Sequence, residues 1–437
     1  MLARITVPLA MVLAVALAIW GLIKAPWWLL VALLVLFVAW MGLTRAGRQA
    51  WSVTRVGLAT IPQRLGASSV IIIGIAGVVG VLVALLAMAV GFEATLKETG
   101  SDDTVIMLRA GSQAELNSVL SHETAQLLAQ QAQVLRNAQG QPIASPELVV
   151  VAALPKRSTG LDANVEIRGV GERAWELHPN VRVVEGRRFS PGLRELIVGK
   201  GAAEQFSGVD VGSSIKLNGQ VWQVVGRFES GDSHDSELWG DTDIVASAYR
   251  RGSGTTTVLA RLTGADALDA LKAALASDPR FQVDVQTTRA YYASQSEQIS
   301  RQIRVLGTIV GAIMAVGAVF GALNSMYAAI ATRAREIATL RAIGFRGVPV
   351  VVSVLIETML LAVLGGAFGA AVAWLIFNDY TASTLGQNFS QVVFNFKVSP
   401  QLLWNGLKWA LAIGLIGGLF PAMRAARIPV TEGLREL

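Results

Sequence analysis

Six runs of about 20 mostly apolar residues set the terms for this chain, because a helix of that length matches the hydrocarbon thickness of a bilayer. They lie at roughly Ile5–Ile23, Trp27–Leu43, Ser69–Phe92, Val305–Ile330, Val350–Phe377 and Leu402–Met423. Of 437 residues, 53% are hydrophobic and only 16% charged. The charges gather in one long central stretch and in short flanks beside the apolar runs. That distribution predicts a polytopic α-helical membrane protein. It has four core transmembrane helices, an N-terminal two-helix hairpin and a large α+β domain between the third and fourth runs.

The short flanks set the orientation. Arg45, Arg48, Arg55 and Arg64 precede the third run. Arg333, Arg335, Arg341 and Arg346 separate the fourth and fifth, and Arg424, Arg427 and Arg435 follow the sixth. The opposite side offers Lys24 and Lys397 in its short segments. The positive-inside rule then places both termini and the 331–349 loop in the cytoplasm of a bacterial inner membrane, with the large domain in the periplasm. Arg301 and Arg304 point the other way, but they close a domain too long for its charge to count. Met1–Trp20 also reads as a signal peptide, with Arg4 as its basic start, although no convincing cleavage site follows. The net charge of +6 reads as membrane orientation and not as a nucleic-acid partner, because the arginines sit beside apolar runs.

Within the runs, Gly307/Gly311, Gly317/Gly321 and Gly365/Gly369 are each four apart. That spacing suits close helix packing in lipid, although glycine is also simply common in membrane helices. Glu357 is an acid well inside a span. It reads either as a functional carboxylate or as a structural hydrogen-bonding group near the cytoplasmic end. Lys408, between Trp404 and Trp409, is expected to snorkel to the outer interface. No ladder of charges marks an ion path.

The domain plan is a hairpin at 1–43, an amphipathic elbow at 44–68, a core span at 69–92, a periplasmic domain at 93–300, and a permease domain at 301–437. The last carries three spans and a short amphipathic helix at 331–347. In the large domain, Thr104–Gly111 and Pro146–Pro155 read as strands and Ser121–Arg136 as a helix. Short β-rich runs continue to Ala248, with a hairpin signature at Asn218-Gly219. The simplest arrangement is an α+β lobe made from the two ends, with a β-rich lobe inserted. Tyr291–Arg304 is expected to extend the fourth span as a stalk.

Chemistry is sparse. Zero cysteines exclude disulfides, thiolate metal sites and cysteine nucleophiles. His122, His178 and His234 are dispersed without ligand spacing, so no metal site is expected. The acidic stretch Gly231–Asp243 lacks the pattern of a calcium hand and is expected to be a solvated loop. No catalytic residue is expected, and no G-x-x-x-x-G-K-[ST] occurs, so the chain binds no nucleotide through a P-loop.

The stretch Asn324–Ile376 resembles the signature region of MacB/FtsX-type ABC transporter permeases. It has a helix-ending Asn324, an Arg-Glu-Ile core at 335–337, a hydrophobic-Arg-x-x-Gly turn at 340–344, and Ile-Glu then Leu-Gly-Gly in the next span. Gly418–Leu437 is similar to the family's Pro-x-x-x-Ala-Ala tail, Thr44–Gly80 to its elbow and first span, and the middle domain to the MacB-type periplasmic core. The resemblance covers about Leu43 onward. The N-terminal hairpin departs from it.

The resemblance implies a non-enzymatic permease subunit that transmits ATP-driven motion from a separate cytoplasmic ATPase to the periplasmic domain. The partners implied are two ATPase copies, a second permease copy, membrane lipid and a periplasmic adaptor. ATP and Mg²⁺ would belong to the ATPase, and this chain would bind no cofactor. Export of a periplasmic or outer-leaflet substrate is the leading reading. Regulation of an envelope enzyme without transport, or extraction of lipid or lipoprotein, are the alternatives. The ATPase-coupling residues implied are Arg333, Arg335, Glu336, Ile337, Leu340, Arg341, Gly344 and Phe345, with Asn324 and Glu357 as intramembrane polar groups. Leu340, Ile343 and Phe345 would fill a groove on the partner. A helix lying in lipid headgroups, held by the same arginines, is the plainer reading of 331–347.

Overall fold

A computed structural model describes residues 25–427, except 265 and 387, together with 21 and 429. The expected span Ile5–Ile23 and the tail after Arg427 lie outside the described residues, save for Gly21 and Pro429. The chain divides into two compact units. One holds residues up to Met88, Ile303–Asn378 and everything from Lys397. The other holds Ala89–Gln302 and Asp379–Phe396.

The first unit is helical. Helix α1 (Trp27–Leu43) has no buried residue within this chain, as suits a helix facing lipid, and bends by 97° into α2 (Arg45–Ala59). Thr44 makes the corner by accepting from the Gly47 amide and donating to the Trp40 carbonyl, both at 2.9 Å. Among the described residues, four helices are long and apolar enough to cross a bilayer: α3 (Leu65–Thr99), α4 (Thr288–Thr332), α6 (Gly347–Phe377) and α7 (Pro400–Arg427). The short α5 (Ala334–Ala342) sits between α4 and α6.

Small residues set how closely these helices approach, since packing and not hydrophobicity associates helices in lipid. A Cβ on Gly365 would stand 2.7 Å from the Ile72 carbonyl oxygen, and one on Gly369 would collide with the backbone of Ala76. Both hold α6 against α3. On the α6–α7 seam, Gly366 faces Ala410 and Gly414 faces Ala362. Gly307 and Gly311 lie against Leu85 and Leu82 of α3, whereas a Cβ on Gly317 or Gly321 would meet nothing within 4 Å. Lys408 is buried rather than snorkelling, because it lies in a stretch of α7 whose neighbours Gly406, Ala410, Ala412 and Ile413 are buried on several faces.

The second unit is built on one mixed sheet. Its strands are β1 (Thr104–Arg109), β2 (Ala144–Pro155), β3 (Asp162–Val170), β4 (Arg182–Gly186) and β5 (Glu195–Gly199), then β6 (Ser214–Leu217), β7 (Gln220–Glu229), β8 (Glu237–Asp241), β9 (Thr257–Arg261) and β10 (Val283–Thr287). Their order is β10-β1-β9-β2-β3-β8-β5-β7-β4, with β6 on β7. Buried hydrophobic clusters form around Met107, Leu128 and Leu271, around Trp222, Leu196 and Phe206, and around Ile197, Phe228 and Trp239. The sheet beneath them is continuous. Residues 144–147 of β2 pair with β9 and residues 148–155 with β3, so one 12-residue strand serves both.

Two local corrections follow. The helix expected at Ser121–Arg136 runs only over His122–Ala129, capped by Ser121, because Val134 turns back to bridge Leu262 and enter the core. A hairpin of β11 (Thr381–Leu385) and β12 (Gln391–Asn395), placed in sequence between α6 and α7, belongs to the sheet unit. Phe394 there stacks edge-on against Phe92 at 5.4 Å, and the Val393 amide donates to Ser236 Oγ at 2.8 Å. The expected hairpin at Asn218-Gly219 is present, both residues having positive φ (45° and 79°), as the tight turn between β6 and β7 requires.

Candidate coupling site around α5 and Glu357

Helix α4 stops at Thr332, and Arg333 forms the joint before α5. The buried face of α5 is small and apolar: Ala334, Ile337 and Ala338. Arg335, Glu336 and Ile343 are exposed, while Leu340, Arg341 and Phe345 are half-buried. The helix closes on Gly344, whose φ of 102° only glycine adopts without strain. The Phe345 amide donates to the Leu340 carbonyl and the Gly344 amide to that of Arg341, each at 3.1 Å. This is the paired-bond stop that reverses a chain after a helix. It sends the chain through Pro349 into α6 and leaves Ile343 at the outer corner.

Arg333 does not face outward. Its Nη1 donates to Glu357 Oε2 at 3.2 Å, and its Nε to Glu336 Oε2 at 3.2 Å. Glu357, on α6, takes a second arginine through Oε1: Arg64 Nη2 at 2.8 Å, from the 3₁₀ turn that leads into α3. The three side chains are largely buried, at 4% exposure for Glu357, 16% for Arg64 and 14% for Arg333. Behind them, a Cβ on Gly57 of α2 would come within 3.4 Å of the Arg333 guanidinium. Two arginines and two glutamates therefore balance, and the carboxylate on α6 ties the α4–α5 joint to the start of α3. Glu357 thus accepts from an arginine at each of its oxygens. Burying a charge so closely paired is tolerable, whereas removing one partner strands the other.

Residues 68–278 match the MacB-like periplasmic core domain, and residues 308–430, which include α5 and Glu357, match the FtsX-like permease C-terminal domain. The chain belongs to the MacB/FtsX-type ABC transporter permeases. Among relatives of this permease, the macrolide export ATP-binding/permease protein MacB of Nitrobacter winogradskyi is 26% identical over 423 residues. That alignment covers 90% of this chain and 61% of the relative. The MacB of Hyphomonas neptunium is 25% identical over 65% of this chain and 46% of its own. The chain thus spans about half the length of the MacB relatives it matches. The uncharacterized ABC transporter permease YknZ of Bacillus subtilis is 24% identical, covering 87% of this chain and 98% of the relative. Of solved structures, the periplasmic region of MacB from Actinobacillus actinomycetemcomitans covers 46% of this chain and 92% of its own, at 14% identity and a TM-score of 0.34.

Other expected positions in the permease fall differently. Asn324 does not end a helix. It lies exposed inside α4, which continues to Thr332, because nothing between them breaks the helical run. Ile337 is buried in the permease itself and so is not part of an outward-facing set. The outward set is Arg335, Glu336 and Ile343, with Leu340, Arg341 and Phe345 at its edge.

The stretch expected to be a solvated acidic loop is instead part of a buried charge cluster in the sheet domain. Arg168 on β3 is its hub. Its Nε and Nη2 donate to Glu237 at 2.8 and 3.0 Å, its Nη1 to Glu115 at 2.8 Å and Glu147 at 3.1 Å, and its Nη2 to Glu166 at 3.2 Å. Trp239 Nε1 donates to Glu237 at 2.7 Å. His178 and His234, far apart in sequence, stack edge-to-face at 4.7 Å beside this group, and His234 Nδ1 lies 2.9 Å from Asp232 Oδ1. His122 stays exposed and bonds Gln126. Burial works against a charged His234, but Asp232 and Glu237 outweigh it and push its pKa up to about 9. Burial, with Glu237 close by, pushes the Glu166 carboxyl up to about 7 against the pull of Arg168. Among the described residues, no group of three or more His, Cys, Asp or Glu is arranged to hold a metal ion.

Proposed function

We propose that this ABC permease transmits nucleotide-driven movement of a separate cytoplasmic ATPase to its sheet domain in the periplasm. ATPase copies dock on the exposed side of α5, two per assembly with a second permease copy. The observation that supports this most is the Arg64–Glu357–Arg333 clamp. A force on α5 reaches the joint at Arg333, and through one carboxylate it reaches α6 and the start of α3 together. Helix α4 is the output rod, because its residues through Gln302 count with the sheet domain and those from Ile303 with the membrane helices. Such a device is a two-state element biased by ATP. In this reading α5 and both termini are cytoplasmic, which the arginine-rich flanks support, and the bare surface of α1 suits lipid. ATP and Mg²⁺ are bound by the ATPase, and this chain binds neither.

The MacB relatives are named for macrolide export, so export is the direction proposed here. Substrate is collected from the periplasm or the outer leaflet and passed to an adaptor protein. The test is ATP hydrolysis by the assembled complex in lipid nanodiscs. Leu340→Asp and Glu336→Lys are expected to remove at least about tenfold of the permease-dependent stimulation, in the range set by breaking one interface anchor, with the sheet domain still folded. Ile343→Cys, in a chain with no other cysteine, is expected to cross-link to the ATPase. Normal hydrolysis in both variants, with no cross-link, defeats the reading.

A further inference from the structure

The membrane unit carries its charge almost entirely as cations. Among its described residues the acids are Glu336 and Glu357, and both are already paired, with Arg333 and Arg64. Helix α2 shows what this leaves over. Its Gly47, Ala50, Val53, Thr54 and Gly57 are buried, and the helix packs on α6. Arg45, Arg48 and Arg55 are exposed on it, together with Trp51 and Val56. Among the described residues, none of these three arginines has an ion-pair partner. A basic helix that exposes tryptophan and valine has the pattern of one lying at a membrane interface, where anionic headgroups supply the missing charge.

An apolar groove begins where α2 ends. Leu58 of α2 and Ile61 of the turn after it form one wall, Leu65 and Ile72 of α3 a second, and Leu360 and Leu364 of α6 a third. The cavity measures about 570 Å³. Leu65, Leu360 and Leu364 are exposed, so it opens at the surface of the unit. Among the described residues no charged side chain lines it, and Ser69 turns its hydroxyl back onto the Gly66 carbonyl at 2.9 Å. From Leu65 to Ile72 it follows α3 for about 10 Å, at about 1.5 Å per residue. Arg55 lies one turn before Leu58, at the spacing that makes neighbours on a helix surface. An unpaired cation thus stands beside the mouth of an elongated apolar slot.

We propose that this groove binds one acyl chain of an anionic phospholipid, with the phosphate of its headgroup on Arg55. The 3₁₀ turn Ile61–Arg64 forms one lip of the groove and also presents Arg64 to Glu357. A bound chain therefore braces the turn on which that ion pair depends. A zwitterionic lipid offers the same chain without net charge, so the preference for an anionic one measures Arg55. About fivefold is expected, the effect of one arginine beside an anionic surface. The site belongs to the permease chain and needs no ATPase.

The full chain carries no cysteine, so Ile73→Cys, exposed and next to Ile72, can carry a fluorophore beside the groove without filling it. Phosphatidylglycerol and phosphatidylethanolamine with brominated chains are compared as quenchers, each as a minor component of phosphatidylcholine nanodiscs. Expected is quenching that reports phosphatidylglycerol about fivefold enriched over phosphatidylethanolamine. Ile313→Cys, on the bare face of α4, is expected to show no preference. Arg55→Gln removes the preference at Ile73→Cys. Arg45→Gln keeps it, because Arg45 lies about 15 Å away along α2, beyond the screening length of about 8 Å at physiological salt. Gly66→Trp, at a position where a Cβ would meet nothing within 4 Å, fills the groove and lowers quenching by phosphatidylglycerol to the level of phosphatidylethanolamine. The exposed Arg55→Gln decides the matter if that variant does not fold. Equal quenching by the two lipids at Ile73→Cys overturns the proposal and gives the groove to another occupant, the apolar segment before Gly21 or a second copy. So does a preference that survives Arg55→Gln or a folded Gly66→Trp. A preference found equally at Ile313→Cys, or lost equally in Arg45→Gln, is diffuse attraction and overturns it too.

Discussion

The two charged centres of this permease invert each other. In the sheet domain one arginine, Arg168, serves four glutamates. In the membrane unit one glutamate, Glu357, serves two arginines. The Arg168 centre is almost completely enclosed, and its ligands come from β2, β3, β8 and the turn at Glu115, so it is part of the sheet itself. The Glu357 centre is slightly open at its two arginines, which stand at the α4–α5 joint and before α3, while Glu357 itself is about three turns into α6. A buried hub of the first kind fixes a fold, because its partners have nowhere else to go. A node of the second kind, which ties the α4–α5 joint and the start of α3 to α6, is the one the proposed function would use to carry displacement.

Breaking each centre should separate these roles. Arg168→Met leaves four buried carboxylates without their cation. It is expected to cost the sheet domain about 3–5 kcal/mol, enough to lose most of its stability. Denaturant unfolding of the full chain, followed through tryptophan fluorescence, reads this well, because Trp222 and Trp239 are both fully buried there. A midpoint equal to wild type removes the hub from its assigned role. Glu357→Gln keeps one acceptor and loses the charge. The expected cost in stability is smaller, about 1–2 kcal/mol, while ATPase stimulation in the complex falls several-fold. Arg333→Lys should lie between wild type and Glu357→Gln, since a lysine cannot fork between Glu336 and Glu357. Equal losses of stability and coupling at both centres would erase the distinction drawn between them.

The apolar spans from Trp27 onward, the amphipathic character of α5 and the Asn218-Gly219 turn were legible in the sequence, because each depends on residues close together in the chain. The family was legible for the same reason. Its signature from Arg335 to Gly344 is one continuous stretch. The Arg168 centre was not legible. Its members at 115, 147, 166, 168 and 237 look like ordinary surface charges until the sheet order brings β3 beside β8. The acidic run around His234 looked solvated for the same reason. One cue was present: Trp239 two residues after Glu237 in an alternating run places both side chains on one face, and a tryptophan there is rarely exposed. The Glu357 pairing needed Arg64, 293 positions away, and no local pattern announces it. The β11–β12 hairpin was missed because five-residue strands between two long apolar spans are overshadowed by them.

The enclosed centre also carries a pH signature. His234, raised to about 9 in the folded domain, binds its proton more tightly folded than unfolded. Its contribution is fully present below about pH 6.5 and is lost as pH rises through about 9. At most about 3 kcal/mol is at stake. The thermal midpoint of the sheet domain should therefore drop between pH 7 and pH 9.5, and His234→Gln should flatten that drop. An unchanged slope in His234→Gln would move the titration to another group.

The smallest effect belongs to a glycine that neither centre touches. Gly321 on α4 meets nothing within 4 Å, and Ile313, Val316 and Phe320 beside it are exposed. If the Glu357 node works within one chain, Gly321→Leu should leave the unfolding midpoint within about 0.5 kcal/mol of wild type and ATPase stimulation unchanged. Gly369→Leu, by contrast, must push α6 off the Ala76 backbone. Should Gly321→Leu instead lower stimulation at unchanged stability, this bare face of α4 has a partner in the working complex. The node then acts across that contact as well as through α3 and α6, which analytical ultracentrifugation of the variant in detergent would register as loss of the larger species.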